Sequence, residues 1–150
     1  MNYFFMRHGQ ASWDAARDAD RPLTHQGIVQ LKAKLQRNAG RLQAVQHIVH
    51  SPYLRAVQSA EVAAEILGIS TLIPDARWTP ESDVTHALES LESLSFPSVL
   101  LVTHNPLVSR LVAVFCEGKQ ATPEPFDTAT LVRVDADWPA SGMGTLAWKD

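Results

Sequence analysis

Three short segments of the chain combine residue types able to handle a phosphate group. They are Arg7-His8-Gly9, the stretch from His50-Ser51-Pro52 to Arg55, and Thr103-His104-Asn105-Pro106. An arginine presents a planar fork of donors that matches two phosphate oxygens, and it stays charged at any relevant pH. Two such forks could hold the equatorial oxygens of a phosphoryl group while its charge redistributes during transfer. A neutral imidazole is a competent nucleophile toward phosphorus, and much of a histidine with an unperturbed pKa of about 6.5 is already neutral near pH 7. Neighbouring arginines push protonation lower still. Gly9 permits close approach of the backbone and could leave a carbonyl free to hold the other ring nitrogen of His8. Taken singly each signal is weak: a lone Arg-His-Gly arises by chance, Arg55 alone reads as a solvated helix residue, and His104 alone as a satisfied histidine at a strand end.

The residues matter together only if the fold gathers them. Tyr3 to Met6 is continuously apolar and rich in strand formers, so it reads as a buried strand running into Arg7 and His8. Thr24 is a candidate N-cap for a helix to about Ala39, with Ile28, Leu31 and Leu35 at helical spacing and Gly40 as its stop. A second strand fits Val45 to His50, and a helix fits Leu54 to Leu67 with Gly68 to terminate it. Thr71 to Ile73 is a third short strand. Thr79-Pro80, read as an N-cap followed by proline at the first helical position, starts a helix carrying Val84, Leu88, Leu91 and Leu94. Ser98 to Val102 is a fourth strand, and Pro106 to Phe115 a largely buried helix. After a loop over Gln120 to Phe126, Thr130 to Val134 and Thr145 to Trp148 form a hairpin.

This alternation predicts an α/β fold: a single three-layer α/β/α domain over residues 1–150, with a mostly parallel central sheet and a C-terminal antiparallel hairpin. Parallel strands share one carboxyl edge, and open α/β sheets bind ligands in the crevice along it. That edge would collect Arg7, His8, Arg55 and His104 from distant parts of the chain. Helix starts after Pro52 and Asn105 would add backbone amides and positive dipole ends.

Bulk properties narrow the remaining classes. With 45% apolar and 19% charged residues in 150, the chain has an ordinary globular composition and room for one core. A formal charge of -3, with no basic run, gives no footprint for nucleic acid or for an anionic membrane. Cys116 is alone and lies in an apolar run, so it reads as a small buried hydrophobe. His25, His47, His50 and His86 have no metal-ligand spacing, and no metal or other cofactor is expected. No stretch approaches transmembrane length, and the apolar start is cut short by Arg7 with no cleavage site after it, which makes a cytoplasmic address the expectation. Trp13, Trp78, Trp138 and Trp148 read as core or rim aromatics, with Trp13 close enough in sequence to His8 to border a pocket.

Arg7-His8-Gly9 after a strand, the segment Ser51-Pro52-Tyr53-Leu54-Arg55-Ala56-Val57-Gln58-Ser59-Ala60, and Val102-Thr103-His104-Asn105 resemble the histidine phosphatase (phosphoglycerate mutase-like) superfamily. Arg21-Pro22-Leu23-Thr24, the closing Gly144 to Trp148 and the short chain look like its SixA-type branch, the bacterial phosphohistidine phosphatases. The resemblance implies that His8 is a transiently phosphorylated nucleophile, that Arg7 and Arg55 bind the phosphoryl group, and that His104 stabilises its charge. It also implies that Arg21 reaches the pocket rim and that no metal is needed; Gly9 and Asn105 are, with Arg21, the candidates for substrate binding. The substrate would be a phosphohistidine-bearing protein, a phosphotransfer domain or phosphocarrier, met by a monomer.

One departure from the superfamily pattern bears on the substrate. Its usual acidic general acid is not recognisable in Ala76-Arg77-Trp78-Thr79-Pro80-Glu81-Ser82-Asp83, where Glu81 and Asp83 read as favourable charge in the first turn of a helix. Expelling an alkoxide requires a proton donor, whereas imidazole is a better leaving group and can be protonated before it leaves. A weak acid position therefore favours a phosphoramidate. The alternatives are a phosphomonoesterase for a small-molecule ester, with Glu81 or Asp83 as acid, and a phosphate-binding module without catalysis.

Overall fold

The computed structural model describes residues 1–150. Four strands, β1 (Asn2–Arg7), β2 (His47–His50), β3 (Thr71–Pro74) and β4 (Ser98–Thr103), run parallel. β5 (Leu131–Asp135) pairs antiparallel with β1, and β6 (Thr145–Lys149) antiparallel with β5, giving the order β3-β2-β4-β1-β5-β6. This is the predicted fold class, with the hairpin on the β1 side of the sheet.

Two-residue alternation sends each strand's side chains to opposite layers. Phe4, Met6, Ile48, Leu100 and Val102 pack with Leu31 and Leu35 of α1 (His25–Asn38) and with Ala56, Ala60 and Ala63 of α2 (Leu54–Leu67). Tyr3, Phe5, Val49, Val99 and Leu101 pack on the other face with Leu91 of α3 (Val84–Glu92) and Leu107, Leu111 and Phe115 of α4 (Leu107–Glu117). Each fully buried large side chain contributes about 1.5–3 kcal/mol, so the two layers hold the strand ends in fixed relative positions. No helix is long and apolar enough to cross a membrane.

Local signals place the helices that serve the site. The Thr24 hydroxyl accepts the Gly27 amide at 2.9 Å and starts α1. Gly68, with φ of 67°, ends α2 in the left-handed region that favours glycine. Two expectations differ. Gly40 does not stop α1, because the chain tightens into a 3-10 turn over Ala39–Leu42 before it leaves the helix. Thr79-Pro80 does not start α3 either: Asp83 caps it, accepting the Thr85 amide at 2.8 Å, while the Thr79 hydroxyl is taken by Ser82 at 2.7 Å. A carboxylate reaching a free amide made the better cap there. Trp78 is fully buried with its indole nitrogen on Ser90, whereas Trp13 and Trp138 are exposed. Cys116 is half-buried against the second layer, and burial raises its thiol pKa.

Candidate active site

The carboxyl ends of β1, β2 and β4 lie side by side. The His8 amide donates to Thr103 O at 3.0 Å and the Ser51 amide to Val102 O at 3.1 Å, so the ladder continues just past the strands and sets His8, Ser51 and His104 at one edge. The two imidazole rings, His8 and His104, are 4.9 Å apart between centroids and both are buried. Arg55 follows in the first turn of α2, itself only 4% exposed.

His8 is held in one orientation. Its Nδ1 lies 2.7 Å from the carbonyl oxygen of Gly9. A carbonyl can only accept, so Nδ1 carries the ring proton and Nε2 keeps its lone pair. Arg55 Nε donates to that lone pair at 3.3 Å, aligning the guanidinium with the nitrogen that would react. Burial, and secondarily the charges of Arg55, Arg7 and Arg21, lower the His8 pKa to about 4 against the opposing pull of the Gly9 carbonyl. The ring is thus neutral and nucleophilic at pH 7.

Gly9 makes this possible by its size. A Cβ there would sit 2.6 Å from Leu31 Cδ1 of α1. Its amide donates to Ser59 Oγ at 3.0 Å and its carbonyl serves His8, so both backbone groups are spent inside the protein. Through these contacts Gly9 holds the His8 ring in place.

Arg7, His8, Trp13, Arg21, Arg55 and Asn105 all border one open cavity of about 300 Å³, and no carboxylate lines it. Arg7 is anchored by donation from one terminal nitrogen to Phe126 O at 3.0 Å, while its buried Nε has no partner. Asn105 donates from Nδ2 to the same carbonyl at 2.8 Å, which turns its Oδ1, also without a partner, away from it. Arg21 lies 3.5 Å over the Trp13 ring, donates from Nε to Ser12 O at 2.9 Å and reaches Asp18 at 3.1 Å. The expected set of Arg7, His8, Arg21, Arg55 and Asn105 is thus brought to one cavity, with His104 beneath it.

Asp18 was not legible in the sequence. It lies in a 3-10 turn over Asp18–Asp20, where its carbonyl accepts from Arg55 at 2.7 Å and its carboxylate from Arg55 and Arg21, each at 3.1 Å. Desolvation pushes its pKa up, but the hydrogen bonds from Arg21 and Arg55 outweigh that and hold it below the usual carboxylate value. The only sequence signal was an aspartate three residues before Arg21.

Glu81 and Asp83 stand outside the cavity wall. Glu81 accepts the Tyr53 hydroxyl at 3.2 Å, and Asp83 is occupied as the cap of α3. Tyr53 meets the His104 ring edge-on at 5.3 Å, so Glu81 reaches the site only through an aromatic ring. What the cavity offers is an oxyanion site: guanidinium donors around an unprotonated imidazole nitrogen, with no anion in the wall to repel a phosphate.

Residues 3–79 match the histidine phosphatase superfamily (branch 1). The chain belongs to that superfamily. It is 36% identical to phosphohistidine phosphatase SixA of Escherichia coli, over 99% of this chain and 92% of that one. A phosphohistidine phosphatase SixA homolog of Haemophilus influenzae is 31% identical over 89% and 87%. Among solved structures, that of the protein histidine phosphatase SixA complexed with tungstate superposes with a TM-score of 0.90 at 35% identity, covering 99% of this chain and 96% of that chain.

Proposed function

We propose that the protein is a phosphohistidine phosphatase, removing phosphate from a histidine of a partner protein through a covalent phospho-His8 intermediate and without a metal. The observation that carries this reading is the cavity of arginines around a neutral His8 with no carboxylate in its wall. His8 Nε2 attacks phosphorus, the bond from phosphorus to the partner's ring nitrogen breaks, and that nitrogen leaves with the electron pair and is protonated. Water then attacks phospho-His8, releasing inorganic phosphate and returning the pair to Nε2. Arg7 and Arg55, with Arg21 at the rim, hold the phosphoryl oxygens in both steps, and His104 supports the charge from beneath. A leaving imidazole tolerates the absence of a nearby carboxylic acid; an alkoxide would not.

The likeness to phosphohistidine phosphatases over nearly the whole chain supports the same substrate class. An open cavity of about 300 Å³ suits a side chain displayed on another protein. Arg7, His8, Arg21, Arg55 and Asn105 line the cavity within one chain, which supports action as a monomer and as one histidine phosphatase domain over residues 1–150. We place its action in the cytoplasm, on phosphotransfer domains or phosphocarriers. The test compares phosphate release from a phosphohistidine-bearing protein and from a panel of phosphate monoesters, with chelator present. Fast release from the protein alone is the expected result. Preference for a monoester would overturn the substrate assignment and bring Glu81 and Asp83 back as candidate acids.

A further inference from the structure

Ser51 opens the segment from Ser51 to Ala60, yet no step above uses it. It is fully buried. Its hydroxyl oxygen accepts the Tyr53 amide at 3.2 Å and lies 2.7 Å from His104 Nε2; these are its two hydrogen bonds. The Nδ1 of His104 is buried and has no partner.

One arrangement of the protons of this corner leaves the fewest buried groups unmet. If Nε2 of His104 carried the ring proton, Ser51 Oγ would accept twice and its own proton would be stranded in a fully buried position. The buried Nδ1 lone pair would then be unmet as well. Each unmet buried group costs stability. With the Ser51 proton turned to Nε2, the hydroxyl is satisfied both ways and the ring proton sits on Nδ1.

We propose that Ser51 is a positioning residue that fixes His104 in its Nδ1–H tautomer, so that a neutral ring donates a hydrogen bond to the phosphoryl group carried by His8. This deepens the reading above and rests on it for the phosphoryl group. The two histidines then bear their proton on the same nitrogen and use opposite ones. His8 spends Nδ1–H on Gly9 and bares Nε2; His104 spends Nε2 on Ser51 and bares Nδ1–H. Burial first, then His8, Arg55 and Arg7, hold the His104 pKa far below its ordinary value, so the ring does not depend on a positive charge to be a donor.

The test is imidazole 15N–1H correlation on labelled, ligand-free protein at pH 7, for wild type, Ser51→Ala and Ser51→Thr, with turnover of a phosphohistidine-bearing protein alongside. In the wild type, His104 should show protonated Nδ1 and unprotonated Nε2. Ser51→Ala should move it toward the Nε2–H form and lower kcat by about tenfold to a hundredfold, the worth of a hydrogen bond to a charged group. Ser51→Thr, which keeps the hydroxyl, should restore both. A wild-type His104 protonated on Nε2, or Ser51→Ala with unchanged tautomer and turnover, overturns the proposal. If Ser51→Ala does not fold, the wild-type tautomer decides by itself. Because the tautomer is read without substrate, it stands or falls separately from the choice of substrate.

Discussion

Two cavities of this molecule gather cationic side chains around an aspartate, and only the smaller has the means for chemistry. The larger, about 820 Å³, lies between α1 and the chain end and includes Lys34, Arg37 and Lys149 in its wall. Asp150 is in that wall too, accepting from Lys34 at 3.2 Å, Arg37 at 3.0 Å and Asn38 at 2.7 Å. In the smaller cavity Asp18 holds Arg55 and Arg21 but stays out of the wall, and Arg55 still turns its Nε to His8. The number of cations does not separate the two. What separates them is whether a neutral nucleophile shares the guanidinium, and whether the aspartate organises the cations from outside the cavity or blocks them from within it. Volume alone would have chosen the wrong one.

The contrast breaks most sharply at Arg55. Arg55→Ala should lower kcat/KM by about a hundredfold to a thousandfold, as loss of a preorganised oxyanion donor does elsewhere; Arg37→Ala at the other cavity should leave turnover unchanged. A smaller effect is expected at the aspartates. Asp18→Asn should reduce kcat about tenfold, because Arg55 keeps its charge but loses the partner that orients it. Asp150→Asn should instead lower the thermal midpoint, at a cost of about 1 kcal/mol for a largely surface network, with kcat intact. The Asp150 pKa is depressed, first by hydrogen bonding from Arg37, so its contribution is complete above about pH 4 and is lost as pH falls toward the depressed folded value. Asp150→Asn should therefore flatten the acid limb of the stability curve.

His8 and His104 carry a pH signature of the same sign in a higher pH window. Their folded pKa values lie below the unfolded value of about 6.5, so between those values the unfolded chain binds more protons. Stability of the ligand-free protein should fall as pH drops from about 6.5 toward 4, and His8→Asn should weaken that dependence. An NMR titration should place the His8 ring near the value of about 4 set by its burial; a midpoint near 6.5 would remove the claim that it is held neutral.

The smallest expected effect is at the rim. Trp13 is 82% exposed and stacked on Arg21, so Trp13→Ala should raise KM for a phosphohistidine protein about threefold to tenfold. A free phosphoramidate should be unaffected by the same change.

The sheet was legible because its signal is local: an apolar run such as Tyr3 to Met6, or a glycine such as Gly68, carries its meaning within a few residues. The site core was legible because Arg7, His8, Arg55 and His104 stand at strand-to-helix junctions, which any parallel sheet gathers at one edge. The supporting groups were not. Asp18 reaches Arg55 across 37 positions from a short turn with no periodicity, and Ser51 meets His104 across 53. Such pairings depend on loop paths that hydrophobic spacing does not encode. Gly40 and Thr79-Pro80 misled for a related reason, since stop and start signals compete with the stronger cap or tighter turn that the fold supplies nearby.

The central claim is that His8 carries the phosphoryl group. A rapid-quench experiment mixing the protein with a phosphohistidine-bearing partner, followed by mapping of protein-bound phosphate under alkaline conditions, reads this directly. Transient phosphate on His8, absent from His8→Ala and decaying as inorganic phosphate appears, is the expected result. Phosphate release at the full rate with His8 never labelled, or retained by His8→Ala, would contradict it.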